Sequence, residues 1–299
     1  MSLLTSNFKP HTLPIILSAL AHFFLGTSAL YWRELSEIPP TTLVAYRIIL
    51  STIMISVFIL IFRHFAHKII FNPKTLILHC TASVFIAINW GAFIWSSING
   101  AILESGLGYL LAPFISIALG AAIYHEKIRT RELLSTGIAL GSIILLITLT
   151  EKLNHWVYLL IASTWGIYTY IKKASNLDAI SGLFIETLFL TACLALAIWL
   201  CGFTITPPNE LMSHPTRLIW LAGVVSTTPL ILFSYATGKI PLSLTGFLQF
   251  ILPLTLIAVS LITFRPTPSS AIIVILTTLT IAMTVSITYA SAFKKRNQK

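Results

Sequence analysis

Residues 102 to 124 have the sequence ILESGLGYLLAPFISIALGAAIY. Glu104 is the only Asp, Glu, Lys or Arg in this stretch. A helix of about 20 apolar residues is long enough to cross the hydrocarbon core of a bilayer. The stretch therefore predicts a membrane-spanning helix, with Pro113 near its middle.

The rest of the chain continues this pattern. Of its 299 residues, 56% are hydrophobic and 9% are charged, against roughly 25% charged residues in a soluble domain. This composition predicts an all-α polytopic membrane protein with ten transmembrane helices. The predicted spans are residues 15–32, 42–62, 76–98, 102–124, 131–149, 156–171, 180–201, 217–237, 243–263 and 268–291.

The distribution of basic residues predicts the orientation. With a cytoplasmic N-terminus, 14 of the 19 Lys and Arg residues fall on the cytoplasmic side, four fall on the other side, and Arg47 lies within a span. Cytoplasmic loops of membrane proteins are enriched in Lys and Arg. We therefore expect a multi-pass protein of the cytoplasmic (inner) membrane with both termini in the cytoplasm. Because topology accounts for most of the basic surplus, nucleic acid is not an expected partner.

The two halves of the chain are related by a shift of 140 positions. Because each half contains five spans, an odd number, the second half must be inverted in the membrane relative to the first. We expect residues 1–150 and 151–299 to form two inverted five-helix repeats, a plan common among secondary transporters. The shift matches Gly26 with Gly166, Phe93 with Phe233, Gly106 with Gly246 and Pro113 with Pro253.

The matched prolines are candidate hinges. Pro113 and Pro253 each lack an N–H, so the carbonyl of Tyr109 or Gln249, four residues earlier, loses its helical donor. Within a bilayer such a carbonyl must be satisfied by protein or by a watery cavity. We expect both prolines to be gating or hinge residues beside a central substrate cavity, although a proline can also kink a helix for packing alone.

Two charged residues lie inside or near the predicted spans. An unpaired charge there costs at least a few kcal/mol, so Arg47 and Glu186 should face the protein interior. The 140-residue shift places Arg47 on Thr187, beside Glu186, and we expect Arg47 and Glu186 to be the charge-carrying pair of a substrate site. Alternatively, both satisfy local groups or hold helices together. Proton coupling would involve Glu186 or His22.

Aromatic and hydrogen-bonding side chains accompany these charges. Aromatic faces with a carboxylate suit a cationic or zwitterionic metabolite, through cation–π contact and charge pairing. Any one of the aromatic residues could instead pack or belong to the interfacial belt. The predicted substrate-binding residues are Arg47, Asn89, Trp90, Trp95, Tyr109, Trp165, Tyr168, Glu186, Tyr235 and Gln249.

Enzyme signatures are absent from the sequence. It contains no His-Glu-x-x-His, no Gly-x-Ser-x-Gly and no phosphate-binding glycine loop, and Asp178 is its only Asp. Cys80, Cys193 and Cys201 lack the spacing of a zinc site or a disulfide framework. We therefore expect no enzymatic activity, no cofactor and no metal. The missing nucleotide motif leaves gradients or exchange as the energy source.

Several short segments together resemble the drug/metabolite transporter superfamily, its EamA-domain branch, and most closely the RarD-type proteins. The resemblance extends over nearly the whole chain. The segments are Tyr46–Ser51, Asn89–Trp90 with Phe93–Trp95, Leu103–Tyr109 with Pro113, Ile185–Thr187, Thr227–Leu230, and Leu244–Phe250 with Pro253.

The resemblance implies a ten-helix carrier whose central cavity is lined by helices one, three, four, six, eight and nine. One departure from the family pattern follows span nine, where Phe264–Pro266 replaces an expected Gly-Glu pair, although Glu126 keeps its counterpart in the first half. Gating at the second end is therefore expected to differ. The motif positions carried over are Arg47, Asn89, Trp90, Glu104, Tyr109, Glu186 and Gln249.

We therefore expect a secondary active transporter, an exporter or exchanger, that moves small organic metabolites by alternating access. Amino acids or related zwitterionic or cationic compounds are the expected substrates. The expected partners are the lipid bilayer, the substrate and a proton or counter-substrate, and the protein would be a monomer or homodimer. The alternatives are a passive channel or facilitator and a non-transport membrane protein such as a lipid-modifying enzyme.

Overall fold

The computed structural model describes residues 12–61, 72–128, 130–149, 153–213 and 215–264. These residues are almost entirely helical, and they contain no β-strand. Two short 3-10 helices, Pro208–Leu211 and Thr216–Leu221, connect α7 to α8. The α-helices are α1 (Thr12–Glu34), α2 (Pro40–Ile61), α3 (Pro73–Ile98), α4 (Ile102–Ile123), α5 (Thr130–Leu149), α6 (His155–Ala174), α7 (Ala179–Cys201), α8 (Ala222–Lys239), α9 (Leu242–Gln249) and α10 (Ile251–Phe264).

The bundle has the surface of a membrane protein. Six helical segments are long and apolar enough to cross a bilayer: α1, α2, α3, α4, α7 and the segment Thr216–Lys239, which includes α8. Large apolar side chains such as Ile61, Ile77 and Trp199 are exposed on the outside of the bundle, where lipid would cover them. The predicted all-α, multi-pass membrane class is confirmed. The tenth predicted span, residues 268–291, lies outside the described residues, and the count of ten stays a prediction.

Local sequence chemistry sets several helix ends. The Asn72 side chain accepts a hydrogen bond from the Lys74 N–H at the start of α3. Asp178 Oδ1 does the same for the N–H groups of Ile180 and Ser181 at the start of α7. Such N-caps satisfy donors that the first turn of a helix leaves free. At the other end of α7, Gly202 adopts φ +63°, a left-handed conformation that glycine adopts without steric cost.

Predicted span nine, residues 243–263, is divided in the structure into α9 and α10. The division lies at Phe250, whose N–H bonds to the carbonyl of Phe247, three residues earlier. Phe250 keeps helical dihedral angles, φ −60° and ψ −20°, so the interruption affects hydrogen bonding more than direction. Pro253 lacks the N–H that would reach the Gln249 carbonyl, whereas Pro113 lies inside the uninterrupted α4.

Helices from both halves of the chain pack against one another. α4 contacts α6, α9 and α10, α1 contacts α8 and α10, α3 contacts α6 and α7, and α2 contacts α7 and α8. Two glycines permit close approach: a Cβ on Gly26 would lie 2.7 Å from Thr255 Cβ, and one on Gly166 would lie 2.7 Å from Ile115 Cγ2. Small residues at helix contacts let backbones approach closely in membranes.

Candidate functional site

A small internal chamber lies where α1, α2, α3, α4, α6 and α10 meet. The space that the centre of a water molecule can occupy there is about 10 Å³, which is roughly enough for one water. Five of the predicted substrate-binding residues line it, so the structure brings half of that set together. The lining consists of Arg47, Asn89, Trp90, Phe93, Tyr109 and Trp165, together with Leu25, Ser28 and Leu252.

Arg47 carries the charge of the chamber. Its side chain is 3% exposed, and the central carbon of its guanidinium lies 4.1 Å from the ring centroid of Trp90 and 5.0 Å from that of Trp32. Nε and Nη1 have no hydrogen-bond acceptor among the described residues. Cation–π attraction to the two indole rings offsets part of the cost of burial, but a ring face provides no oxygen to accept these N–H groups.

Asn89 and Tyr109 form a hydrogen-bond network in the chamber wall. The Tyr109 hydroxyl donates to Asn89 Oδ1 at 2.8 Å. Asn89 Nδ2 donates to the Ile161 carbonyl at 3.2 Å and to Thr164 Oγ1 at 3.1 Å. The network joins α3, α4 and α6. It also uses both amide hydrogens of Asn89, so Asn89 has no donor left for another molecule in this arrangement.

Glu186 lies in a second buried cluster, contributed by α3, α6 and α7. Its Oε1 accepts a hydrogen bond from Lys172 Nζ at 2.8 Å and lies 2.7 Å from His79 Nδ1. Its Oε2 accepts from the Tyr168 hydroxyl at 3.0 Å, and His79 Nε2 lies 2.8 Å from Ser175 Oγ. Glu186 is 1% exposed. Lys172 therefore supplies a positive partner for this buried carboxylate, and His79 and Tyr168 supply hydrogen-bonding contacts.

Arg47 and Glu186, the expected charge-carrying pair of the substrate site, lie in two separate clusters in the structure. Glu186 is engaged by Lys172 and His79, whereas Arg47 is surrounded by aromatic rings. The reason lies partly in α6, which continues to Ala174, beyond the predicted end of span six at residue 171. This extra turn places Lys172 inside the bundle, where it is 5% exposed.

Aromatic side chains connect the chamber with the Glu186 cluster. The Trp165 ring lies 5.9 Å from Tyr109, 5.8 Å from Tyr168 and 5.0 Å from Phe233, measured between ring centroids. His22 packs edge-on against Phe233 at 5.5 Å. The predicted residues Tyr168 and His22 therefore lie one layer behind the chamber, and Trp165 is shared by the chamber and this layer.

His22 itself is held within α1. Its Nδ1 lies 2.7 Å from the Ser18 carbonyl oxygen, and its Nε2 has no partner among the described residues. No acidic side chain contacts His22 in the described part of the chain. Its role in proton coupling stays a prediction.

Gln249 joins three helices outside the chamber. Its Nε2 donates to Thr169 Oγ1 at 2.7 Å, and its Oε1 accepts from Ser116 Oγ at 3.1 Å. The residue is buried at the end of α9. The structure therefore places Gln249 in a contact between α9, α6 and α4.

α4 and α9 meet closely at the end of α4 that leads to Glu126. A Cβ on Gly246 would lie 3.0 Å from the Pro113 carbonyl oxygen. Glu126 Oε1 and Oε2 accept hydrogen bonds from the N–H groups of Leu242 and Ser243, each at 2.8 Å. The carboxylate thus caps α9, at the end of the helix where negative charge is favoured.

The start of α4, which the 140-residue shift matches with the start of α9, makes different contacts among the described residues. A Cβ on Gly106, the repeat partner of Gly246, would meet nothing within 4 Å among the described residues. Ala101, at the N-cap of α4, makes no side-chain cap. Glu104 in the first turn accepts hydrogen bonds from Asn154 N and Nδ2, at 3.3 and 3.2 Å. Pro253 is buried in α10, next to the chamber residue Leu252.

Two predicted substrate-binding residues lie away from the chamber. The Trp95 ring packs against Trp156, with centroids 4.9 Å apart. Tyr235 is 38% exposed, and Lys239 Nζ lies 4.8 Å from the centroid of its ring. In this structure both residues make packing or surface contacts and do not reach Arg47.

Sequence reasoning missed three residues of these clusters: His79, Lys172 and Trp32. His79 lies within predicted span three, and an ionisable residue in an apolar run is by itself a signal of function or pairing. Lys172 fell one residue beyond a predicted span and was therefore counted as a loop residue. Trp32 has no sequence feature that separates it from the other tryptophans. Within the described residues, no three His, Cys, Asp or Glu side chains cluster as a metal site.

Comparison with known proteins shows which family and which relatives this chain is similar to. The EamA-like transporter family matches residues 12–148. An uncharacterized transporter of Pseudomonas aeruginosa is 28% identical over 254 residues, covering 83% of this chain and 84% of that protein. Protein RarD of Escherichia coli is 25% identical, covering 95% of this chain and 97% of that protein.

A further relative and a solved structure agree with these matches. Protein RarD of Streptomyces exfoliatus is 28% identical over 238 residues, covering 78% of this chain and 75% of that protein. A solved crystal structure shares the fold with a TM-score of 0.67 at 14% identity, covering 93% of this chain and 98% of that chain. The chain is therefore similar to EamA-type, RarD-like transporters of the drug/metabolite transporter superfamily, and its first half matches the EamA-like family model.

Proposed function

We propose that the chain is a secondary active transporter, an exporter or exchanger, of small organic metabolites, and that it is not an enzyme. The observation that carries this proposal is the chamber, which is buried, polar and charged, and which receives side chains from both halves of the chain. Ionisable residues inside membrane segments are typical of substrate and ion pathways. Arg47, Asn89, Trp90, Tyr109 and Trp165 form the proposed substrate wall.

The proposed transport cycle uses two inverted repeats, residues 1–150 and 151–299. The 140-residue shift relates α1 to α6, α2 to α7, α3 to α8, and α4 to the α9–α10 segment. If each helix is replaced by its counterpart in the other half, the α4–α6 contact becomes the α10–α1 contact. In the same way, α3–α6 becomes α8–α1, and α2–α8 becomes α7–α3. All six of these contacts occur in the structure.

The glycine contacts support the same relation at the level of single residues. Gly26 packs against Thr255, and Gly166 packs against Ile115. Thr255 is the repeat partner of Ile115, and Gly166 is that of Gly26. Each contact is therefore the image of the other under the shift of 140 positions.

We further propose alternating access around the chamber, with Pro113 and Pro253 as hinges. A space of about 10 Å³ cannot hold a metabolite, so helices must separate for a substrate to enter. Glu126 and Gly246 close the α4–α9 end, while the Gly106 end has no equivalent contact among the described residues. Such an asymmetry suits a protein whose two ends open in turn.

In this proposal the protein lies in the cytoplasmic (inner) membrane with both termini in the cytoplasm. A proton or a second substrate molecule supplies the driving force, and Glu186 is the candidate proton-coupling residue. The support for Glu186 is its burial together with His79 and Lys172, because each of these groups can change its protonation state.

Counterflow tests the proposal. The full-length protein is reconstituted in liposomes loaded with a pool of unlabelled amino acids, organic acids, amines and nucleosides, and entry of each labelled counterpart is followed against liposomes without protein. We expect saturable entry that internal substrate stimulates. Flux that neither saturates nor responds to internal substrate would identify a passive channel or facilitator, and an altered product would identify an enzyme.

A further inference from the structure

We propose that the chamber binds a carboxylate group, which pairs with Arg47, and that the transported compounds are organic acids or zwitterions that carry such a group on a compact apolar or aromatic body. Transport of these compounds, and the separation of helices that admits them to the chamber, rest on the proposed function; the pairing of a carboxylate with Arg47 rests on the side chains of the chamber itself. This inference narrows the expected substrate class, because a cationic compound without a carboxylate would meet an uncompensated positive charge.

The first support is the set of unused donors. Arg47 is 3% exposed, and its Nε and Nη1 have no acceptor among the described residues. Trp165, on the same chamber wall, has an indole Nε1–H without an acceptor as well. A buried donor without a partner is costly, and a ligand oxygen would satisfy these groups. Guanidinium N–H groups match a carboxylate, which can accept two of them side by side.

The second support is the charge balance of the chamber. None of the described residues in its lining is Asp or Glu. Glu186, the buried carboxylate of the adjacent cluster, is already paired with Lys172 and His79. Among the described residues no carboxylate pairs with Arg47, and its guanidinium lies over the ring faces of Trp32 and Trp90. An anion entering the chamber gains a charged partner, whereas an amine meets a charge of its own sign.

The size of that charge favours a singly charged group such as a carboxylate over a doubly charged phosphate. Arg47 offers one positive charge, so a singly charged carboxylate leaves the occupied chamber neutral. A doubly charged phosphate would leave one negative charge uncompensated in the membrane interior, at a cost of a few kcal/mol or more. The other chamber donors, on Asn89 and Tyr109, are already used within the protein.

The other side chains of the chamber wall indicate which kind of group the ligand carries besides its carboxylate. Trp90, Phe93 and Trp165 present aromatic surface to the chamber, and Leu25 and Leu252 present aliphatic surface. These side chains suit a compact apolar or aromatic group. An ammonium group on a zwitterion would find aromatic ring faces, which attract cations.

The test uses pairs of compounds that differ only in the carboxylate: 3-phenylpropionate with 3-phenylpropanamide, phenylalanine with phenylalaninamide, and leucine with leucinamide. Each is titrated into the purified full-length protein in detergent, with tryptophan fluorescence as the readout, because Trp90 and Trp165 line the chamber. We expect at least one carboxylate to bind with saturation and its amide to bind about 10- to 100-fold more weakly, the range expected for loss of a charged hydrogen-bond partner.

Two variants and one control locate the site. Arg47→Gln should reduce carboxylate binding about 10- to 100-fold. Arg47→Lys keeps the charge but cannot bind a carboxylate with two parallel N–H groups, so it should bind more weakly than the native protein and still prefer carboxylate to amide. Arg217→Gln makes the same exchange at an exposed position and should leave binding unchanged. If Arg47→Gln does not fold, Arg47→Lys still tests whether carboxylate binding depends on the Arg47 guanidinium.

The outcomes separate this inference from the proposed function. Equal binding of carboxylates and amides, binding that Arg47 variants do not change, or no binding of any carboxylate by the folded native protein would overturn the inference. Arg47-dependent carboxylate binding without counterflow of the bound compound would support the inference and count against transport. Counterflow of amines alone would support transport and overturn the inference.

Discussion

Two buried charges in this bundle are compensated in different ways. Glu186 contacts Lys172 and His79 directly. The Arg47 guanidinium lies over the rings of Trp32 and Trp90, and two of its nitrogens have no acceptor among the described residues. The proposals above follow this difference: proton coupling is proposed for the paired Glu186, and ligand binding for Arg47.

The first prediction concerns the contribution of the Glu186 cluster to stability. Glu186→Gln leaves the buried Lys172 without its anion, and Lys172→Met leaves Glu186 with the contacts to His79 and Tyr168 but without its lysine. We expect each change to lower stability by about 3–5 kcal/mol, as for breaking a buried ion pair, and the double variant to lose less than the sum of the two. Thermal unfolding of the detergent-solubilised protein measures this cycle.

The control for the cycle is Lys74→Met, which removes a lysine charge at an exposed position. It should leave the unfolding midpoint almost unchanged, because exposed charges contribute little. Strictly additive effects of Glu186→Gln and Lys172→Met would show that their contact does not stabilise the protein.

At the scale of helices, positions that the 140-residue shift matches in sequence differ in their packing. The 140-residue shift matches Gly106 with Gly246. A Cβ on Gly246 would be 2.8 Å from Ile117 Cγ1 and 3.0 Å from the Pro113 carbonyl oxygen, whereas one on Gly106 would meet nothing within 4 Å among the described residues. The difference accompanies the Glu126 cap, which is present at the α9 end. Its repeat partner is Pro266, which cannot accept hydrogen bonds through its side chain.

The second prediction compares these glycines. Gly246→Ala should destabilise the protein by about 1–3 kcal/mol, because the new methyl group forces α4 and α9 apart. Gly106→Ala should be neutral or stabilising, since alanine favours a helix over glycine by up to about 1 kcal/mol. Thermal unfolding of both variants side by side checks this. Equal losses would mean that the two helix ends are packed alike.

The third prediction concerns the Glu126 cap. Glu126→Ala removes the acceptor of two N–H groups at the start of α9, and losing a cap costs about 1 kcal/mol. The α4–α9 end should therefore open several-fold more often. In a protein without native cysteines, thiol labelling of Ser243→Cys should be about fivefold faster when Glu126→Ala is added, since 1.4 kcal/mol corresponds to a factor of ten.

Lys127→Ala, next to Glu126, is the matched control in the same cysteine-free background. It should not change the labelling rate at position 243, because the described structure gives Lys127 no hydrogen bond to α9. A Glu126→Ala protein that labels at the control rate would mean that the cap does not hold this end closed.

At the scale of the whole molecule, the fourth prediction concerns orientation. If the basic residues set the topology, the loop with Lys127 faces the cytoplasm and the segment with Arg217 faces the opposite side. In intact cells, a membrane-impermeant maleimide should label Arg217→Cys but reach Lys127→Cys only after permeabilisation. The cysteine-free protein is the control for both. The reverse pattern would invert the proposed topology.

Much of the architecture was predictable from the sequence because it follows from local or periodic features. The length of apolar runs predicts where helices lie, and the Asn72 and Asp178 caps are short-range signals. The division of span nine at Phe250 was not predicted, although Pro253 marked its position. A proline interrupts hydrogen bonding in one helix and is accommodated in another, as Pro113 shows, depending on the neighbouring helices.

Half of the predicted substrate-binding residues line the chamber. The other half lie elsewhere, because sequence does not give the direction of a side chain. Residue type and depth in the membrane can be read from sequence, so Arg47 and Asn89 were identifiable. The direction in which a side chain points depends on the rotation of its helix, and Trp95 and Tyr235 point elsewhere.

The sequence by itself determined that this chain is a helical, multi-pass membrane protein, because the length of its apolar runs is a local property of the sequence. The matched Gly and Pro positions predict two related halves. Only the tertiary structure decided which buried charges are paired. His79 and Glu186 are 107 positions apart, and Lys172 and Glu186 are 14 apart. Packing in three dimensions joins these residues and leaves Arg47 open to the chamber, since contacts between helices depend on their rotation and contact faces.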